Sequence, residues 1–159
     1  MDEAALDDLD RAILYALQQN ARNTSASEIA ETAGVSPSTV RKRIAKLEER
    51  DVVSGYHVDV DYTTAGFQLH TLIVCTAPIP DREELARKAR AVDGVVAVRE
   101  VMTGGENVHV EVVGEDGDDL SRIGRELDSL GLHVEDEDLI RNEYVTAYEG
   151  FTDSETPDH

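Results

Sequence analysis

Residues 34–50 read GVSPSTVRKRIAKLEER, and this stretch decides the fold. Gly34 can take the positive φ that a tight turn between helices needs. Ser36 has the short hydroxyl that caps a helix. Pro37 suits the first helical position, where its missing N–H would be unpaired anyway. Val40, Ile44 and Leu47 form a narrow inward stripe on a helix running to about Arg50. A wheel centred on that stripe sets Ser38, Lys42 and Ala45 opposite, with Thr39, Arg43 and Lys46 on one flank and Arg41 on the other. Arg41, Lys42, Arg43, Lys46 and Arg50 stand against Glu48 and Glu49, a local balance of +3 over residues 36–50.

Upstream, Leu6, Leu9, Ile13, Leu14 and Leu17 recur at helical spacing, so residues 6–19 read as an amphipathic helix. A polar break at residues 20–24 precedes a second helix from about Ala26 to Thr32, with Ile29, Ala30 and Ala33 inward. Two helices joined by a short glycine turn, the second capped and basic, make a helix-turn-helix. Downstream, residues 52–60 read as strand, turn and strand, a small wing in which Tyr56, Val58 and Val60 alternate with polar residues. Residues 61–67 are a linker.

From Gln68 the period changes to two. Strand 69–77, helix 81–91, strand 95–103, strand 107–113, a helix marked by Leu120, Ile123, Leu127 and Leu130, and a last strand from Leu132 toward Tyr148 follow in order. That β-α-β-β-α-β order is the split βαβ, ferredoxin-like unit. The expected class is α+β: a winged helix-turn-helix over 1–60, a βαββαβ domain over 68–149, and a disordered tail over 150–159.

The chain has 159 residues and a net charge of -19, with three lysines against twelve arginines. An acidic, lysine-poor surface on a patterned core suits a halophilic protein, because concentrated salt screens self-repulsion. Residues 1–60 balance at -4 and residues 61–159 at -15, so positive charge is focused on the 36–50 helix. That is the electrostatic footprint of a nucleic-acid binder. No apolar run reaches bilayer length, and the first ten residues, MDEAALDDLD, are unlike a signal peptide, so a cytoplasmic protein is expected.

The single cysteine, Cys75, excludes an internal disulfide and reads as a small core residue. His57, His70, His109, His133 and His159 are scattered without metal-ligand spacing, and residues 135–138 (EDED) lack the glycine and terminal glutamate of a calcium loop. Neither a Walker loop nor a nucleophile motif occurs, so no metal, cofactor or catalytic residue is assigned.

A helix entering the major groove meets base edges near its N-terminus, where Ser36, Ser38 and Thr39 lie; Arg41, Lys42, Arg43 and Lys46 follow for phosphates and guanines. Arg22 and Thr24, in the loop before the second helix, are further candidates for backbone phosphates.

Several runs together carry a family resemblance: Leu9-Asp10 with Ile13-Leu14, Asn20-Ala21-Arg22, Glu28-Ile29-Ala30, the run GVSPSTVRKRIAKLEE, and Val53-Ser54-Gly55-Tyr56. With the downstream βαββαβ order, the chain over about 6–148 resembles the Lrp/AsnC (leucine-responsive, feast/famine) regulators, in a haloarchaeal-like version. The resemblance implies a transcription regulator of double-stranded DNA with a C-terminal domain of RAM or ACT type. It implies homodimers that place two third helices in successive major grooves of a pseudo-palindromic operator, further assembly to octamers, and an amino acid or related small effector.

The family's effector loop resembles Thr103, Gly104, Gly105, Glu106 and Asn107; the usual pattern has aspartate where this chain has Asn107, which offers a neutral carbonyl to an ammonium group. Two other readings stay open on the sequence. One is an enzyme like the sirohaem decarboxylases, which share the architecture; the other is a ligand-sensing co-regulator that does not bind DNA directly.

Overall fold

A computed structural model describes residues 5–152. Two compact units result: one formed by the chain up to Val58 together with the segment from Tyr144, the other by Asp59–Glu143.

The first unit holds helices α1 (Asp8–Asn20), α2 (Ala26–Ala33) and α3 (Pro37–Glu49). Each starts on a side-chain cap that satisfies N–H groups the helix itself cannot. Asp7 accepts from the Asp10 N–H at 2.8 Å while the Asp10 carboxylate accepts from the Asp7 N–H at 3.2 Å, a reciprocal capping box. Ser25 and Glu28 do the same for α2, and Ser36 caps α3 by accepting from the Thr39 N–H. Gly34 closes α2 at φ 72°, the left-handed conformation expected of it. The core of this unit is Ile13, Leu14, Ile29, Ala30, Val40 and Leu47.

The wing expected over residues 52–60 does not form: Val52 and Val53 lie in a bend and residues 54–60 join no strand. The reason lies at the end of α3. The Val52 and Val53 N–H groups both donate to the Leu47 carbonyl, at 2.9 and 3.1 Å, so the donors a first wing strand needs are spent closing the helix. Tyr56, Val58 and Val60 are left exposed.

In the second unit, β1 (Leu69–Thr76), β2 (Val95–Glu100), β3 (Val108–Gly114) and β4 (His133–Leu139) form an antiparallel sheet of order β2-β3-β1-β4. Helices α4 (Arg82–Ala89) and α5 (Gly117–Leu130) cover one face. The centre is Ile73 and Cys75 of β1 and Val108, Val110 and Val112 of β3, packed on Leu85, Ala86, Ala89, Ile123 and Leu127. Gly94, at φ 98°, lets Ile123 close over the turn into β2; a Cβ there would stand 2.7 Å from the Ile123 Cδ1.

The last strand is shorter than the run from Leu132 toward Tyr148 expected for it. Leu139 pairs with Thr71, the Ile140 N–H reaches the His70 carbonyl at 2.8 Å, and β1 then runs out of residues to pair with. The segment beyond does not stay with the sheet. From Tyr144 it belongs to the first unit, and Glu149–Phe151 form a 3-10 turn there. Phe151 packs against the first unit's core, edge-on to Tyr148 with ring centroids 5.0 Å apart. The Tyr148 N–H donates to Gln18 Oε1 at 3.2 Å. The boundary at 149 and the disorder expected from 150 are therefore corrected for Gly150–Thr152, because an aromatic side chain finds an apolar seat. The rest of that tail, residues 153–159, lies outside the described residues.

Candidate nucleic-acid interface

The polar face of α3 is open. Ser36, Ser38, Arg41, Lys42, Ala45 and Lys46 are exposed, Thr39 is half-buried, and Val40 and Leu47 are sealed beneath. Three hydroxyls cluster at the helix start: the Ser36 Oγ lies 3.1 Å from the Ser38 Oγ and 2.7 Å from the Thr39 Oγ1. Hydroxyls donate or accept as needed, so this cluster suits either a phosphate oxygen or a base edge. Lys42 and Lys46 stand one turn apart on the open side, and Arg22 is exposed in the loop before α2.

Arg43 is placed apart from these. Its guanidinium reaches across to the start of α1, bonding the Asp7 carboxylate and lying 3.1 Å from Asp10 Oδ1. The Asp10 side chain is only 5% exposed and that of Arg43 29%. Partial burial pushes the Asp7 carboxyl up, but the Asp10 N–H and the Arg43 guanidinium outweigh it and hold the carboxyl below the ordinary 3.8. Hydrogen bonds to Asp7 and Asp10 raise Arg43 in turn. Sequence reasoning missed this bridge, although two aspartates three apart at a helix start carry the capping-box signal.

The loop Thr103–Asn107 divides in the same way. Thr103, Gly104, Gly105 and Glu106 are exposed, whereas Asn107 is fully buried. The Asn107 Oδ1 accepts the Ala77 N–H at 2.8 Å and its Nδ2 donates to the Ala77 carbonyl at 2.9 Å. Both ends of the amide are occupied in pinning the residue that follows β1.

Glu106 is held at φ 50°, a left-handed conformation uncommon for a glutamate. Its N–H donates to the Thr76 Oγ1 at 2.8 Å and its carbonyl lies 2.8 Å from the His109 Nε2, while the Thr76 hydroxyl donates to Glu135 at 2.9 Å. The exposed turn is thus tied to Thr76 of β1 and His109 of β3.

A groove of about 610 Å³ lies elsewhere in the first unit, between α1 and α2, with Phe151 at one end. It does not touch α3's exposed face. Among the described residues, no helix is long and apolar enough to cross a membrane.

Residues 6–48 match the AsnC-type helix-turn-helix domain. The chain is 34% identical over 121 residues to the HTH-type transcriptional regulator LrpA of Pyrococcus horikoshii, spanning 74% of this chain and 82% of that protein. It is 31% identical over 119 residues to the HTH-type transcriptional regulator AldR of Mycolicibacterium smegmatis, covering 74% and 69%. Among solved structures, a feast or famine regulatory protein of M. tuberculosis complexed with L-methionine shares the fold, with a TM-score of 0.73 at 24% identity over 89% of this chain and 96% of that one. An open, capped, cationic third helix, a matching helix-turn-helix model and relatives aligned through most of their length agree: the chain belongs to the Lrp/AsnC family of helix-turn-helix transcriptional regulators.

Proposed function

We propose that the chain regulates transcription by laying α3 in the major groove of duplex DNA. The observation that carries this reading is α3 itself: exposed hydroxyls at its N-terminal end, exposed cations one turn on, and a small Ala45 between them that lets the backbone come close. Ser38 and Thr39 read base edges, with Ser36 at the helix N-terminus, where free N–H groups favour a phosphate. Arg41, Lys42, Lys46 and Arg22 neutralise phosphates.

The working form is a homodimer. The sheet face away from α4 and α5 supports this, because it carries the half-buried Leu72, Val74 and Val113. Two α3 helices a helical turn apart then select a roughly palindromic operator, and dimers associate further to octamers. The effector is an amino acid or a related small molecule at the turn Thr103–Glu106; the methionine bound by a structural neighbour supports that class.

The test is a selection of duplexes from a random pool by the full chain, followed by titration at low and at molar KCl. The expected result is a two-fold-related consensus, bound with a shallower loss of affinity in salt than usual, because salt also screens the acidic remainder of the protein. Recovery of no consensus, with no binding at either salt, overturns the reading.

A further inference from the structure

We propose that Arg43 is a positioning residue for α3, not one of its DNA contacts; this rests on the reading of α3 as the DNA-reading helix. Arg43 lies on the flank of α3, between the cations that face outward and the buried Val40 and Leu47. Its guanidinium is committed to two carboxylates of α1, Asp7 and Asp10, which also cap that helix reciprocally.

The arrangement has three parts. Asp7 and Asp10 share one helix end, and the Arg43 guanidinium bonds both carboxylates. Asp10 is nearly sealed, so leaving its carboxylate unpaired carries a desolvation penalty. And the apolar stripe that α3 buries is narrow, Val40 and Leu47, so a contact on its flank adds leverage on its rotation. An ion-paired hydrogen bond is directional. The bridge therefore sets the turn of α3 about its own axis, and with it which side chains meet the groove.

Two roles for Arg43 give opposite results. As a phosphate contact, its loss flattens the dependence of log affinity on log salt by about one, as loss of Lys42 should. As a positioning residue, its loss leaves that slope unchanged and instead erodes discrimination between duplexes.

The experiment compares the full chain with R43Q, K42Q, D10N and the double variant R43Q/D10N. The probes are a duplex selected by the wild-type chain and a scrambled duplex, read well below the unfolding transition. R43Q is expected to lower the ratio of selected to scrambled affinity about tenfold with the slope unchanged, and to lower the first unit's unfolding midpoint by about 5–10 °C. Adding D10N to R43Q removes the stranded carboxylate and recovers part of the midpoint, while the ratio stays low because the bridge is still absent. K42Q flattens the slope and leaves the midpoint alone.

R43Q behaving as K42Q overturns the proposal, and so does an unchanged affinity ratio, which makes the bridge merely stabilising. If the wild-type chain retains no duplex, the DNA reading fails. The bridge is then judged on unfolding alone, where non-additive midpoint shifts of R43Q and D10N support its fixing α3 and additive shifts overturn it.

Discussion

The start of α3 and the turn Thr103–Asn107 are the two places where the sequence sets functional-looking polar residues, and they are built oppositely. At α3 the polar groups face outward, and the hydroxyls of Ser36, Ser38 and Thr39 bond chiefly to one another. At the turn the residue at the loop's end, Asn107, is turned inward and bonded at both ends of its amide to the Ala77 backbone. Arg43 repeats the inward pattern within α3. A residue of the right type in the right motif can serve the frame of a site instead of its face, and burial with hydrogen-bond partners tells the two apart.

The largest expected effect is on the outward side. Replacing Lys42 and Lys46 together by alanine should weaken binding to a selected duplex about 100-fold in a gel-shift titration, with the fold intact by circular dichroism. A loss under threefold would remove α3's open face from the interface.

On the inward side, Asn107→Asp restores the family's usual residue yet should lower the second unit's stability by roughly 2–4 kcal/mol at neutral pH, because a carboxylate cannot donate to the Ala77 carbonyl and is buried as a charge. Burial raises the folded pKa of such an aspartate above its unfolded value, so the deficit should shrink as pH falls and the carboxyl protonates. Denaturant curves at two pH values check both parts. A neutral effect would mean that the turn opens readily and that Asn107 is available to a ligand.

Phe151→Ala should cost the first unit about 1–2 kcal/mol, less than a sealed phenylalanine, since its seat is only partly buried. Chemical denaturation checks it; no change would make the return of the chain to α1 incidental.

The smallest effect is in acid. Asp7, Asp61 and Asp119 all have carboxyls held below the ordinary 3.8: Asp7 as described, Asp61 by the Thr64 N–H, and Asp119 by the Glu115 N–H and then Arg122. Depressed folded values mean that their stabilisation is fully present above the unfolded value and is lost as pH falls through the folded values. Unfolding should begin only below pH of about 4 and be milder in high salt, since these pairs are largely solvent-facing. A midpoint shift beginning near pH 6 would point to a histidine instead.

Much of this was legible in the sequence because it depends on local chemistry. The three helices follow from Ser36 and Pro37 at the start of α3 and from the spacing of Ile13, Ile29, Val40 and Leu47, while the caps Asp7 and Ser25 emerge only in the structure. The sheet follows from alternation, clearest in Val108, Val110 and Val112. What was not legible depends on partners distant in sequence or on donors already spent. The wing fails because Leu47 takes the Val52 and Val53 N–H groups, and β4 stops where β1 stops. Phe151 lies too far from the first helices for any periodicity to tie it to them. The roles of Arg43 and Asn107 turn on partners 36, 33 and 30 residues away.

The most direct test of the central claim is site-specific cross-linking to DNA. Burial, and then Glu135 and Glu137, push the Cys75 thiol up to about 11, so it resists labelling in the folded protein and a new surface cysteine can be modified selectively. A photoreactive group on Ala45→Cys should give a covalent adduct with a selected duplex, whereas the same group on Gly117→Cys, at the exposed start of α5, should not. Equal adducts from both positions, or none from Ala45→Cys while the duplex is retained, would contradict the account.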